Sequence, residues 1–135
     1  MKKSILFSII LLLFVTGCSK DDDDPVKNIN LKADALSETI WRGNLPISSD
    51  KSNEKPITIS FNSKIVGSYW FDDGKNNTSF DFDYAIEGRV IIINDLIGKY
   101  LEGYWWIVSI SDKEMTIVRQ PETEKETKLK LIRKL

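Results

Sequence analysis

The sequence predicts an all-β domain folded as a small up-and-down antiparallel β-barrel of about eight strands. Apolar residues recur at every second position in several short runs, which is the pattern of strands with one buried face. Turn-forming residues separate these runs by only a few positions, and short connections join antiparallel neighbours. Eight strands in simple succession favour closure into a barrel, because closure removes exposed edges.

The predicted strands follow one another along the chain and begin after a short N-terminal helix. That helix is expected over 30–37, where Leu31, Ala35 and Leu36 would lie against an open end of the barrel. The clearest strand is 79–86, in which aromatic residues alternate with aspartates that mark the solvent face. The strands are predicted at residues 39–47, 56–62, 64–71, 79–86, 89–94, 100–110, 114–119 and 126–134.

Residues 1–17 are predicted to form a lipoprotein signal peptide. Lys2 and Lys3 precede an apolar run over 5–15, which is the order of a secretory leader. A membrane-spanning helix needs about 20 apolar residues, so this run is too short to serve as an anchor.

Cys18 is predicted to carry a lipid anchor. The stretch Val15-Thr16-Gly17-Cys18 resembles the bacterial lipobox, and the resemblance implies that the cysteine becomes the acylated first residue. A thiolate is the side-chain nucleophile best suited to accept such a group. Several acyl chains would then hold the protein to a membrane, which is its first expected partner. Cys18 is the only cysteine, so the sequence excludes a disulfide within the chain.

Residues 18–30 are predicted to form an acidic, extended tether. Adjacent like charges followed by Pro25 cannot form a packed element. The run also resembles the surface-export signal of Bacteroidota lipoproteins, which implies a location on the outer face of the outer membrane. The alternative is a plain spacer on a protein that faces the periplasm. The export signal would comprise Lys20, Asp21, Asp22, Asp23 and Asp24.

Residues 31–135 are predicted to form one domain without enzymatic activity. The chain has no histidine, which removes the commonest general base and the commonest metal ligand. Asp81 and Asp83 share a strand face with nothing apolar to perturb them, and 72–77 lacks the alternating ligands of a calcium loop. The charges of the domain balance, so a nucleic-acid partner is not expected. Neither a cofactor nor a metal is predicted.

Three stretches resemble the lipocalin-like domains of small surface lipoproteins of Bacteroidota. They are "LSETIWRG", "ITISFNSK" and "WWIVSISDKEMTIV", and the resemblance covers 36–135. It implies the barrel fold and a set of core positions, and it carries no catalytic chemistry. The matching positions are Trp41, Phe61, Asn62, Ser63, Trp105, Ile107, Ser109 and Ile110.

Aromatic residues on the solvent side are the candidate binding residues. If Ile65, Tyr69 and Phe71 face inward, alternation directs Trp70 outward. If Trp105 faces inward, as the resemblance implies, the outward positions beside it belong to Tyr104 and Trp106. The alternative is that a terminal segment or a loop covers these rings. The candidate binding residues are therefore Trp70, Tyr104 and Trp106.

Two functions fit these features. The first is a binding lipoprotein for a small apolar molecule or a glycan. The second is a protein-interaction module, such as an accessory subunit of an outer-membrane complex or a protease inhibitor. An open lumen would favour the first, whereas a filled lumen with an exposed aromatic face would favour the second.

Replacing Cys18 with alanine is expected to abolish acylation, because the chain offers no other cysteine. Metabolic labelling with a fatty acid should then give an unlabelled precursor that keeps its leader. Label incorporated into the Cys18→Ala protein would contradict the assignment.

Replacing Asp21 to Asp24 with alanine is expected to move the protein to the inner side of the outer membrane without changing its folding. The test is protease shaving of intact cells. Equal cleavage of the variant and the wild type would refute the export role and leave the aspartates as a spacer.

Overall fold

A computed structural model describes residues 29–47, 53–72 and 78–134. The predicted leader, Cys18 and the export residues 20–24 lie outside the described residues. Within the described part of the chain, no helix has the length and apolar character needed to span a membrane.

Eight antiparallel strands form a closed barrel in the order of the sequence, which confirms the predicted fold class. The predicted strand boundaries lie within three residues of the observed ones at every end. The strands are β1 (Thr39–Pro46), β2 (Glu54–Phe61), β3 (Val66–Phe71), β4 (Ser79–Glu87), β5 (Val90–Asn94), β6 (Gly103–Ile110), β7 (Glu114–Arg119) and β8 (Thr127–Lys134).

Closure of the barrel depends on Gly43, where β1 meets β8. Gly43 pairs with Leu131, and a Cβ atom at this position would lie 2.4 Å from the carbonyl oxygen of Lys130. Such an approach is shorter than van der Waals contact, so a larger residue would push the two strands apart.

Apolar and aromatic side chains fill the interior of the barrel. Phe61 meets Tyr84 edge to face with ring centroids 5.0 Å apart, and Tyr69 stacks on Phe80 at 5.1 Å. Such ring contacts stabilise by about 0.5–1.5 kcal/mol beyond the area they bury. The largest fully buried side chains are Trp41, Trp105, Tyr69, Phe61, Leu36, Leu45, Ile57, Ile59, Ile91, Leu101, Ile107 and Met115.

The expected helix over 30–37 is replaced by successive turns at 33–38. The backbone bonds here span three residues, as from the Ala35 N–H to the Lys32 carbonyl at 3.0 Å, and Glu38 ends the segment with φ of 63°. A helix this short gains too few bonds to propagate. Leu36 is nevertheless buried in the core, so the segment seals one end of the barrel as expected.

The inward position expected for Ile65 is wrong. Ile65 is exposed in the β2–β3 hairpin, and Gly67 takes the first inward position of β3. A Cβ atom at Gly67 would lie 2.4 Å from the ring of Phe82. The phenylalanine ring therefore occupies the space that a larger β3 side chain would need.

The two ends of the barrel differ. The near end carries the N-terminal segment and three tight hairpins, and the Leu31 N–H donates to the Gly88 carbonyl there at 2.8 Å. The far end carries the connections that follow β1, β3, β5 and β7. The described chain therefore enters the barrel at the near end.

Replacing Trp105 with alanine is expected to cost about 3–5 kcal/mol of unfolding free energy, because Trp105 is 0% exposed whereas Trp106 is 38% exposed. Replacing Trp106 with alanine is expected to cost about 1 kcal/mol. The same contrast in unfolding free energy is expected between Trp41→Ala and Trp70→Ala, because Trp41 is buried whereas Trp70 lies half-buried on the outer side of β3.

Urea denaturation of the four alanine variants measures these costs. Equal destabilisation by Trp105→Ala and Trp106→Ala would show that both rings are structural.

Candidate functional site

The lumen offers little room for a ligand, because inward side chains from all eight strands occupy it. Trp41, Phe61, Tyr69 and Trp105 are among those that are essentially inaccessible to solvent. An eight-stranded barrel is just wide enough to be filled by side chains or to hold one small ligand. In this chain the rings take that space, and the grooves described below open on the outer surface.

The candidate site is a groove on the outer face of β6 and β7, which we call the Trp106 groove. It has a volume of about 430 Å³. Its floor is apolar and its rim carries charges of both signs. The residues that define it are Arg89, Trp106, Val108, Val118, Pro121, Glu122 and Lys128.

A β-bulge shapes the floor of the Trp106 groove. Ile107 pairs with Ile117 and Ser109 pairs with Thr116, so Val108 is the extra residue on β6. Bulges bend a strand and redirect its side chains. Trp106 lies opposite Val118, which is only 4% exposed although it sits on the outer side of β7. Both side chains line the groove, so its floor is apolar, with Val118 buried and Trp106 exposed to solvent.

The β7–β8 loop forms a fixed wall of the groove. The Thr123 hydroxyl donates to the Gln120 carbonyl at 2.8 Å, and the Glu122 N–H donates to the Glu126 carboxylate at 3.3 Å. Gln120 and Glu122 hold left-handed backbone angles, with φ of 52° and 63°. Such angles are uncommon for residues other than glycine, and the loop's own hydrogen bonds maintain them here.

Arg89 covers part of the Trp106 ring. Its guanidinium carbon lies 5.3 Å from the ring centroid, within the range of a cation–π contact. The exposed remainder of the ring therefore sits between a cation on one side and the apolar floor on the other. The groove therefore offers a partner an apolar ring beside charges of both signs, from Glu122 and Glu126 as well as from Arg89 and Lys128.

The three predicted binding residues do not form one cluster. Tyr104 is exposed on β6, two residues before Trp106, and so continues the outer aromatic face. Trp70 lies on β3 and pairs with Thr58 and Ser79. Two strands, β4 and β5, lie between β3 and β6 in the barrel, so Trp70 belongs to a different side of the barrel.

The β5–β6 loop at the far end is a second outward feature, and it is organised by the buried carboxylate of Asp95. Oδ2 of Asp95 accepts a hydrogen bond from the Tyr69 hydroxyl at 2.6 Å and another from the Leu101 N–H at 3.0 Å. The Asp95 N–H donates to the Glu102 carboxylate. Burial raises the pKa of Tyr69, and the hydrogen bond and charge of Asp95 raise it further, so the phenol stays a donor.

The tip of this loop exposes Leu96 and Ile97, whose side chains are 70% and 78% accessible. Gly98 beside them packs against the core, where an added Cβ atom would lie 2.1 Å from the Tyr69 hydroxyl. Asp95 before the tip and Gly98 after it are therefore both held by contacts with the core. The loop presents its apolar residues in a fixed conformation, which lowers the entropy cost of binding.

Sequence reasoning missed Arg89, Asp95 and the Leu96–Ile97 tip. The signal for the tip was present, since two aliphatic residues stand between Asp95 and Gly98, which are turn-forming types. Arg89 and Asp95 gave no comparable signal, because their roles depend on contacts with residues distant in sequence.

The outer surface therefore offers shape and charge for recognition. Among the described residues, no group of three or more cysteine, aspartate or glutamate side chains is arranged to hold a metal ion. None of the protein-family models, curated proteins or solved structures compared with the chain matches it.

Proposed function

We propose that this protein is a lipid-anchored, cell-surface lipoprotein without enzymatic activity that binds another protein through the outer face of its barrel. The observation that carries the proposal is the filled lumen beside an exposed tryptophan groove. Because the interior is packed with side chains, recognition falls to the outer surface. Tryptophan and arginine are the residues most often found at the energetic centre of protein interfaces.

A small apolar ligand fits the structure less well. Such ligands bind in concave sites that bury most of their surface, and the lumen lacks that space. A glycan is also less favoured, because a sugar ring stacks on an open aromatic face and Arg89 lies over Trp106. A protein partner needs only the exposed part of the ring together with the surrounding rim.

The entry point of the chain supports an anchored orientation. The described chain begins at the near end, next to the β4–β5 hairpin. An anchor at Cys18 would place this end toward the membrane and direct the far-end loops away from it. The Trp106 groove lies on the side of the barrel and would stay accessible, as the partner-binding surface of an accessory lipoprotein must.

The rigid Leu96–Ile97 tip supports a second contact point for the same class of partner. Protease inhibitors of the kind considered above also rely on an exposed loop that is held in its bound shape. The two surfaces are separable by mutation, because Trp106 and Leu96 lie on different elements and line different grooves.

Replacing Trp106 with alanine is expected to weaken partner binding by about 30-fold, the effect of losing a central interface residue of about 2 kcal/mol. The full chain is used to capture proteins from the outer-membrane fraction, and the affinity of the recovered partner is then measured with purified components. Leu96→Ser with Ile97→Ser tests the loop tip in parallel. Ile65→Ala, an exposed residue in the β2–β3 hairpin, is the matched control.

The proposal fails if the recovered partner binds Trp106→Ala and the Leu96, Ile97 variant as tightly as it binds the wild type. It also fails if the wild type binds immobilised glycans and loses that binding on Trp106→Ala while no protein partner is recovered. The second outcome would assign the groove to a carbohydrate.

A further inference from the structure

Two opposite faces of the barrel carry opposite charges. β4 and β8 lie four strands apart in a closed barrel of eight, so they occupy opposite sides. The outward residues of β4 include three carboxylates, and those of β8 include three ammonium groups. We call these the acidic face (Asp81, Asp83, Ala85 and Glu87) and the basic face (Lys128, Lys130, Ile132 and Lys134).

The two faces repeat one pattern with inverted charge. In each, two charged residues are followed by one aliphatic residue and one more charged residue, at every second position. Because alternate residues of a strand share a side, each set of four points outward together. The balanced charge of the domain therefore conceals two charged surfaces.

Neighbouring strands preserve the charge of each face. The outward residues of β3 and β5 include no lysine or arginine. Beside β8, Arg42 of β1 adds a further cation, whereas Glu114 of β7 is the one outward carboxylate of these adjoining strands. Asp72, which lies after β3, is paired with Arg42 at 3.4 Å and does not reverse the sign.

The charged side chains of both faces are available to a partner. Within the described residues, none of the six makes an ion pair or a side-chain hydrogen bond. A groove of about 470 Å³ is lined by Asp81 and Asp83 of the acidic face, and one of about 650 Å³ is lined by Lys130, Ile132 and Lys134 of the basic face. The first is flanked by Val66, Leu96 and Ile97, and the second contains Ile132.

We infer that the partner of each face is a second copy of this chain, so that the acidic face of one molecule binds the basic face of the next. The occupant is identified by charge complementarity and by the aliphatic residues that border both grooves. Strands of a barrel tilt by about 35–45° from its axis, so the outer strands of two neighbouring barrels cross at an angle. The contact is therefore between two patches of side chains and not between paired strands. Because the two faces that bind each other lie on opposite sides of each molecule, successive molecules add in one direction and form an open row.

The direction of the strands allows every copy in the row to point the same way. β4 and β8 both run from the far end to the near end, so the two faces lie at the same height on the barrel. Molecules joined side by side therefore keep their near ends together. A common anchoring surface at that end would raise their effective concentration and favour the row.

Sedimentation velocity of the full chain in a nonionic detergent tests the inference. At low ionic strength the sedimentation coefficient of the wild type should rise as its concentration goes from micromolar to millimolar. The rise should disappear at high salt, since the Debye length falls from about 10 Å at 0.1 M to about 3 Å at 1 M. A wild type that stays monomeric at low salt throughout this range overturns the inference.

Charge reversal locates the contact. Asp81→Lys with Asp83→Lys, or Lys130→Glu with Lys134→Glu, should each weaken self-association by at least about tenfold, because like charges then face one another. Mixing the two variants should restore association, since every contact again joins opposite charges. Asp34→Lys with Glu124→Lys, two exposed reversals on neither face, should associate like the wild type.

Circular dichroism establishes that each variant is folded. If a reversal unfolds, Asp81→Asn with Asp83→Asn replaces it on the acidic face and Lys130→Gln with Lys134→Gln on the basic face, and each should still weaken self-association. The inference is wrong if mixing fails to restore association or if the control loses it equally. Lys128 lines the Trp106 groove as well as the basic face, so the reversals on β8 are confined to Lys130 and Lys134. Trp106→Ala should leave association unchanged, which separates this test from the partner proposed for the Trp106 groove.

Discussion

The packing of aromatic rings into a lumen of fixed width is the constraint from which the other features follow. Eight strands leave an interior that side chains can fill, and rings from β1, β2, β3, β4 and β6 fill it. The close fit is visible at Gly67, where the ring of Phe82 stands in the place of a side chain. Because side chains of the described strands pack this interior, the residues of those strands that are available for binding are the ones that alternation directs outward.

The same core extends to the far end through one buried carboxylate. Tyr69 stacks on Phe80 within the core and donates its hydroxyl to Asp95, which also accepts the Leu101 N–H. Leaving a buried carboxylate without such donors would cost several kcal/mol of folding free energy. The two hydrogen bonds therefore tie the conformation of the β5–β6 loop to the packing of the barrel. The exposure of Leu96 and Ile97 is a consequence of this connection and does not depend on a flexible loop.

The sequence predicted the architecture well because its signal is local and repeated. Alternation within the apolar runs and turn residues between them were enough to place all eight strands. Trp41 and Trp105, which alternation and the resemblance together assigned to the interior, are buried there. The inward position predicted for Ile65 was wrong because Ile65 lies in the hairpin before β3, where side chains do not alternate between the two faces of the sheet. The helix expected over 30–37 became turns because so short a segment gains too few hydrogen bonds to propagate, although Leu31 and Leu36 still pack against the core. Arg89 over Trp106 and Asp95 under Tyr69 were beyond prediction, since each contact depends on the strand register in three dimensions.

Charge segregation adds information that neither composition nor fold class contains. A domain whose acidic and basic residues balance would be expected to show weak, unoriented electrostatics. The strand order makes the charge distribution uneven instead, because it places the carboxylates of β4 and the ammonium groups of β8 on opposite sides of one barrel. Their fields therefore add to a transverse dipole instead of cancelling through short ion pairs. Since the chain enters at the near end, that dipole is perpendicular to the axis along which a tether would hold the domain. Lateral contacts would then be oriented by charge and would include Leu96 and Ile97, which border the acidic groove, while the Trp106 ring on another side of the barrel would remain open to a different partner.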